Sequence, residues 1–151
     1  MREQSSRAAR LVVGLISGTS MDGIDAALVR ISGPPTQPRV RLLAFESMPY
    51  PNWLRQRLLA IAGGEATTAE EIDQFHNLLG AAFGEAAVSV FRRGRINPAR
   101  LFVVGSHGQT IHHDGAQKGS ANLFPQVRGL STGPGGKTAD LESRSALLAT
   151  R

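Results

Sequence analysis

The strongest constraint on this chain is a pair of apolar runs of strand length joined by a Gly-rich turn. Leu11–Ile16 leads into Ser17-Gly18-Thr19-Ser20-Met21-Asp22-Gly23, and Ile24–Ile31 follows at once with Asp25 at its mouth. Apolar runs of this length bounded by Gly and Asp read as strands, and the turn between them reads as a hairpin. The turn is rich in small residues and hydroxyls and carries two carboxylates three residues apart. Unobstructed backbone N–H groups can converge on phosphate oxygens, and carboxylates beside them suit Mg²⁺, which takes oxygen ligands and keeps several waters. Two readings stand open on these residues alone: a solvated hairpin turn and a nucleotide-phosphate loop.

The following segments decide what surrounds the hairpin. Ser32–Pro38 is a turn by its Gly and Pro content, and Val40, Leu42, Ala44 and Phe45 form a third strand, ended by Pro49 and Pro51. Three strands with short turns predict an antiparallel meander. Asn52 is a candidate cap for a short helix carrying Leu54, Leu58, Leu59 and Ile61, stopped at Gly63-Gly64. A longer helix is predicted from a Thr67 or Thr68 cap, with Glu70 or Glu71 as capping-box partner. Its apolar residues Ile72, Phe75, Leu79, Ala82, Phe83, Ala86 and Val90 keep a helical period, and Gly94 is its expected stop. His76, alone in mid-helix, reads as packing or surface. Leu101–Gly105 then reads as a buried strand, which returns parallel to the earlier ones after a long helix. The predicted order is β-β-β-α-α-β.

Beyond that last strand, Ser106-His107-Gly108-Gln109-Thr110-Ile111-His112-His113-Asp114-Gly115 is expected to form a polar loop at the strand's carboxyl end, where open α/β sheets bind ligands. Neighbouring His112 and His113 would point to opposite sides of an extended segment. A hydrogen-bonding surface for a polar ligand such as a sugar is therefore more economical than zinc.

Composition excludes several classes. With 151 residues, 41% hydrophobic and 19% charged, the chain fits one globular domain. It has no cysteine, hence no disulfide framework. No apolar run approaches the roughly 18 residues of a membrane span. The basic leader, residues 1–10, lacks a signal-peptide core and cleavage site, so the cytoplasm is the expected compartment. The net charge of +5 divides into +2 over residues 1–114 and +3 over residues 115–151, with no basic, aromatic-interleaved stripe of the kind that binds nucleic acid.

Together, Gly18-Thr19-Ser20-Met21-Asp22-Gly23-Ile24-Asp25 and Gly105-Ser106-His107-Gly108-Gln109-Thr110-Ile111-His112-His113 resemble the N-terminal domain of the anhydro-N-acetylmuramic acid kinase family over about residues 10–115. The resemblance implies a ribonuclease-H-like α/β fold of the actin-like ATPase and sugar kinase superfamily. It implies an enzyme of peptidoglycan recycling that opens the 1,6-anhydro ring with water and phosphorylates O6 from ATP. By motif, Gly18 to Asp25 would hold ATP phosphates, Asp22 and Asp25 would lie near Mg²⁺ and its waters, and His107, Gln109 and Thr110 would line the amino-sugar side. It also allows a homodimer of the full-length kinase.

Residues 116–151 depart from the resemblance and are expected to be a divergent, disordered or degraded tail. Family members run to well over twice this length and carry a general-base Asp that is not identifiable here; Asp140 is no safe substitute. A non-catalytic phosphate-binding fragment is the alternative reading. Gly136-Lys137-Thr138 approaches a P-loop ending, but Ser131 stands where that signature needs Gly, which leaves a P-loop NTPase as an outsider.

Overall fold

The computed structural model describes residues 8–114 and 119–123. The expectations placed on the leader before residue 8, and on Ser131–Thr138 and Asp140, lie outside the described residues. Strands β1 (Arg10–Ser17), β2 (Gly23–Ser32) and β3 (Arg39–Pro49) form the antiparallel meander. Helices α1 (Asn52–Ala62) and α2 (Ala69–Gly94) follow, and strand β4 (Leu101–Asp114) returns parallel to β1. A fifth strand, β5 (Gly119–Leu123), pairs antiparallel with the far end of β4, giving the sheet order β3-β2-β1-β4-β5.

Residues 119–123 were expected in the unstructured tail. The run Gly119-Ser120-Ala121-Asn122-Leu123 is short and has one large apolar residue, so periodicity gives it little signal. It is held by backbone pairing along Gln109–Asp114. β4 also runs well past Gly105. The polar segment from Ser106 to Asp114 is therefore strand and not a loop beyond one.

Both helices lie on one face of the sheet. Val13 and Leu15 of β1, Ile24, Ala26 and Leu28 of β2 and Val104 of β4 meet Leu54, Leu58, Phe75, Leu79, Phe83, Val90 and Phe91 from the helices in one core. Burying each large apolar side chain contributes about 1.5–3 kcal/mol. The opposite face is open and largely apolar. It exposes Ile16, Val40, Leu42 and Phe45. The positions of Val40 and Leu42 follow from a bulge: Leu28 pairs with Ala44 but Val29 pairs with Leu42, so Leu43 is the extra residue. One inserted residue sends the apolar alternates before it to the other face.

The helix ends refine two expectations. Pro51 occupies the cap position of α1, and Asn52 is its first helical residue, without a side-chain cap. Arg95, with φ 51°, takes the left-handed position that ends α2. Gly94 belongs to the helix, and packing explains it. A Cβ there would come within 2.5 Å of Leu28 Cδ2.

Thr68 caps α2 as expected, its Oγ1 accepting from Glu71 N at 3.1 Å. The Glu71 carboxylate does not close the box. It turns to Arg57 of α1, which donates from Nε (2.6 Å) and Nη2 (2.8 Å), and to Thr67 Oγ1 (2.7 Å). The same guanidinium pairs with Glu65, so one Arg joins α1 to the start of α2.

The Arg57 hydrogen bonds, then the Thr67 hydroxyl, depress the Glu71 pKa from 4.5 to about 2. A depressed carboxylate stabilises the fold fully above its unfolded pKa, and that contribution is lost as pH falls through the folded value. Urea midpoints of the wild type should therefore fall between about pH 4.5 and about pH 2 more steeply than those of Glu71→Gln. Parallel profiles would contradict the assignment.

Candidate functional site

The hairpin loop between β1 and β2 is a tight turn. Met21 N donates to Gly18 O at 3.2 Å, and Met21 sits at φ 51° in the left-handed region. That conformation costs a non-glycine residue about 1–2 kcal/mol. Burial offsets it, since the Met21 side chain is packed into the core while Gly18, Thr19 and Ser20 are exposed. Met21 is thus the anchor of the loop, with its side chain turned away from any ligand.

The two loop glycines have different reasons. A Cβ on Gly23 would stand 2.2 Å from Met48 O, so this position is a close approach between β2 and β3. Gly18 has only Ser20 Oγ nearby, at 3.8 Å, and opens to solvent. Across the loop, Tyr50 N donates to Asp22 O at 2.9 Å and ties it to the start of α1.

Asp22 is exposed, and Ser20 Oγ donates to its Oδ1 at 2.8 Å. That hydroxyl, then the backbone N–H of Asp22 itself, with smaller help from the positive charge of Arg55 and from Gly23 N–H, holds the carboxyl below its ordinary pKa. Asp22 is ionised at neutral pH. Asp25 lies elsewhere, on the open face of β2, where with Gly14, Ile16, Ala27, Phe45 and Gly105 it lines a shallow depression. Ile24 between them is buried in the core. Among the described residues no three His, Cys, Asp or Glu side chains converge. The oxygens of Asp22 and Asp25 are not brought together, so each could at most meet a Mg²⁺ through its waters, the ion being completed by phosphate.

The second motif enters at the far end of the β1–β4 pairing. Leu15 pairs with Ser106 but Ser17 pairs with Gln109, so β4 carries one extra residue there, with Gly108 at φ 75°. The bulge reverses the alternation and places Gln109 beside Ser17. Gln109 is fully buried. Its Oε1 accepts from Ser17 Oγ at 2.7 Å, and its Nε2 donates to Gly18 O at 3.2 Å and Thr110 O at 2.9 Å. Ser17 Oγ also lies 2.6 Å from Gly23 O.

The three residues assigned by motif to the sugar side are therefore separated. His107 is exposed, Thr110 is buried, and Gln109 points into the loop's base with both ends of its amide engaged. Sequence reasoning passed over Ser17 and Tyr50. Ser17 looked like the first turn residue. Tyr50, whose buried hydroxyl has no hydrogen-bond partner among the described residues and whose pKa burial pushes up to about 12, carried no signal at all.

Comparison with known proteins decides the relationship. The family model described as anhydro-N-acetylmuramic acid kinase matches residues 10–132. The chain belongs to the anhydro-N-acetylmuramic acid kinase family. It is 44% identical over 103 residues to the anhydro-N-acetylmuramic acid kinase of Gloeobacter violaceus, covering 68% of this chain and 27% of that protein. It is 34% identical over 129 residues to the kinase of the same name from Vibrio vulnificus, covering 81% of this chain and 34% of that one. The chain thus spans between a quarter and about a third of the length of these relatives. Its α/β arrangement is that of the N-terminal domain of an actin-like ATPase or sugar kinase, as expected. The family match runs past Gly115, to which the resemblance was traced, and takes in β5. Among the described residues no helix is long and apolar enough to cross a membrane.

The anchor role of Met21 has a direct consequence. Met21→Ala should lower the unfolding free energy by about 2–5 kcal/mol, the range for truncating a buried Met, measured by urea denaturation. A loss below about 0.5 kcal/mol, typical of surface positions, would contradict it.

Proposed function

We propose that this chain supplies the phosphate-loop part of an ATP-dependent kinase acting on 1,6-anhydro-N-acetylmuramic acid. In that reaction water adds at C1, the C1–O6 bond opens, and O6 takes the γ-phosphoryl group of ATP, leaving ADP and N-acetylmuramic acid 6-phosphate. The amino sugar comes from peptidoglycan recycling, a cytoplasmic process in this reading. The observation that carries the proposal is the loop itself: an exposed turn whose Gly18 carbonyl is held inward, beside the exposed Asp22 carboxylate that accepts from Ser20 Oγ.

Each residue then has a role open to test. Gly18, Thr19 and Ser20 present backbone N–H groups and hydroxyls to phosphate oxygens, and such groups act by positioning and by balancing charge. Asp22, with Asp25 further along β2, would hold the waters of a bound Mg²⁺, which supplies neutralisation of the phosphates. His107 is the exposed member of the second motif and the candidate to meet the sugar.

The lengths of the relatives support a second, narrower reading of the isolated chain. It covers 27% of the Gloeobacter kinase, no general-base carboxylate is identifiable in its sequence, and its open sheet face carries exposed apolar side chains. The 151 residues alone would then bind phosphate without turnover.

Calorimetry with ATP and Mg²⁺ tests both. The wild type should bind, and Asp22→Ala should weaken binding by about tenfold, equivalent to about 1.4 kcal/mol. Equal binding by the two proteins would reject the loop assignment, and loss on Lys137→Ala instead would favour the P-loop alternative. A coupled ADP-release assay on the isolated chain should show no sugar-dependent turnover; turnover would overturn the narrower reading.

A further inference from the structure

We infer that Gln109 is a positioning residue of the phosphate loop, acting through the Gly18 peptide, and not a group that touches the sugar. The ligand half of this inference rests on the phosphate-loop reading above; the conformational half does not.

The orientation of the Gln109 amide is fixed by what surrounds it. Nε2 lies 2.9 Å from Thr110 O and 3.2 Å from Gly18 O. Reversing the amide would set its oxygen against two carbonyl oxygens, so the nitrogen belongs there and the oxygen faces Ser17. The side chain reaches both ends of the loop. It holds Gly18 directly, and its Oε1 shares with Gly23 O the single proton of Ser17 Oγ, at 2.7 Å and 2.6 Å. The partners are 91 and 92 residues away in sequence, so this contact is a tertiary one, added to the local bond from Met21 N to Gly18 O.

The effect on the loop follows from peptide geometry. In a trans peptide the carbonyl and the next N–H point in opposite directions, and the described chain has no cis bond. Drawing the Gly18 carbonyl toward buried Gln109 turns the Thr19 N–H away from it, toward the exposed side of the turn. The same carbonyl accepts from Met21 N and helps hold Met21 in its left-handed conformation. Without Gln109 the Gly18 carbonyl keeps only the 3.2 Å bond from Met21 N, and its peptide rotates more readily, as glycine permits. The amides would then lose their common direction before a phosphate arrived.

The bulge at Gly108 is the structural cost of this arrangement. An unbroken alternation would place Gly108, and not Gln109, beside Ser17. The extra residue is what brings an amide side chain to the loop's base.

Gln109→Met tests the inference on the full 151-residue chain, because it keeps the side-chain volume and removes the amide. Amide hydrogen exchange at Met21 should speed up by about tenfold, as expected for loss of a hydrogen bond with a net worth near 1.4 kcal/mol, while the amides of Leu79 and Phe83 in α2 keep their wild-type rates. Affinity for Mg²⁺–ATP should fall by at least about tenfold under conditions where the variant is fully folded. An unchanged Met21 rate, or an equal acceleration in α2, would overturn the inference, since either means that Gln109 only contributes to global stability. Faster exchange with unaltered Mg²⁺–ATP affinity would also overturn its role in binding. Should the wild type itself bind no Mg²⁺–ATP, the phosphate-loop reading fails, and the exchange rates still decide whether Gln109 holds the loop. If Gln109→Met does not fold, Ser17→Ala removes the anchor of the amide oxygen and is read by the same exchange comparison.

Discussion

The parallel pairing of β1 with β4 is the contact on which the rest of the molecule depends. β1 is flanked on both sides, by β2 through a short hairpin and by β4 after two helices, so the sheet closes only when the distant strand arrives. That pairing has a register shift at Leu11/Val12, then a regular part and a second irregular part. The regular part, Val12–Val13–Gly14 against Val103–Val104–Gly105, lays down the core strand. The irregular part, at Gly108, turns Gln109 toward Ser17 and Gly18. One interaction therefore links the stability of the sheet to the shape of the loop at its end.

This coupling explains why an exposed turn can keep a defined geometry. Short Gly-rich turns lose much conformational freedom on ordering, and each must be offset by contacts elsewhere. Here the contacts come from below the loop. Met21 is buried, Gly23 is pressed against the Met48 backbone, Tyr50 N holds Asp22 O, and Gln109 holds Gly18 O. Gly18, Thr19 and Ser20 are exposed, with the ionised Asp22 carboxylate at their side. Binding loops that are preorganised in this way lose less on binding than loops that must first be ordered.

Much of this was legible in the sequence. The meander, the two helices and the parallel return of β4 follow from alternation, helical period and caps, and Thr68 caps α2 as its spacing to Glu71 implied. What was not legible lies where one residue changes the parity of a strand. Leu43 sends Leu42 and Val40 to the open face, and the extra residue at Gly108 turns Gln109 inward, although its neighbours suggested a ligand-facing loop. Strand β5 pairs through its backbone with little apolar signal. Gly94 looked like a helix stop and is a contact with Leu28. A single sequence does not reveal such close approaches, because the residue that forbids a Cβ lies far away in the chain. The family relationship was legible for the opposite reason: both motifs are long and local.

The central claim is that the β1–β2 turn is a phosphate-binding loop preset by its own fold. Amide chemical-shift changes in the folded 151-residue chain, titrated with ADP and Mg²⁺, test it most directly. The account predicts that the largest changes fall on the backbone amides of Thr19, Ser20 and Asp22, with the β1–β4 pairing unperturbed. Changes confined to residues outside Gly18–Asp25, or none at saturating nucleotide, would contradict it.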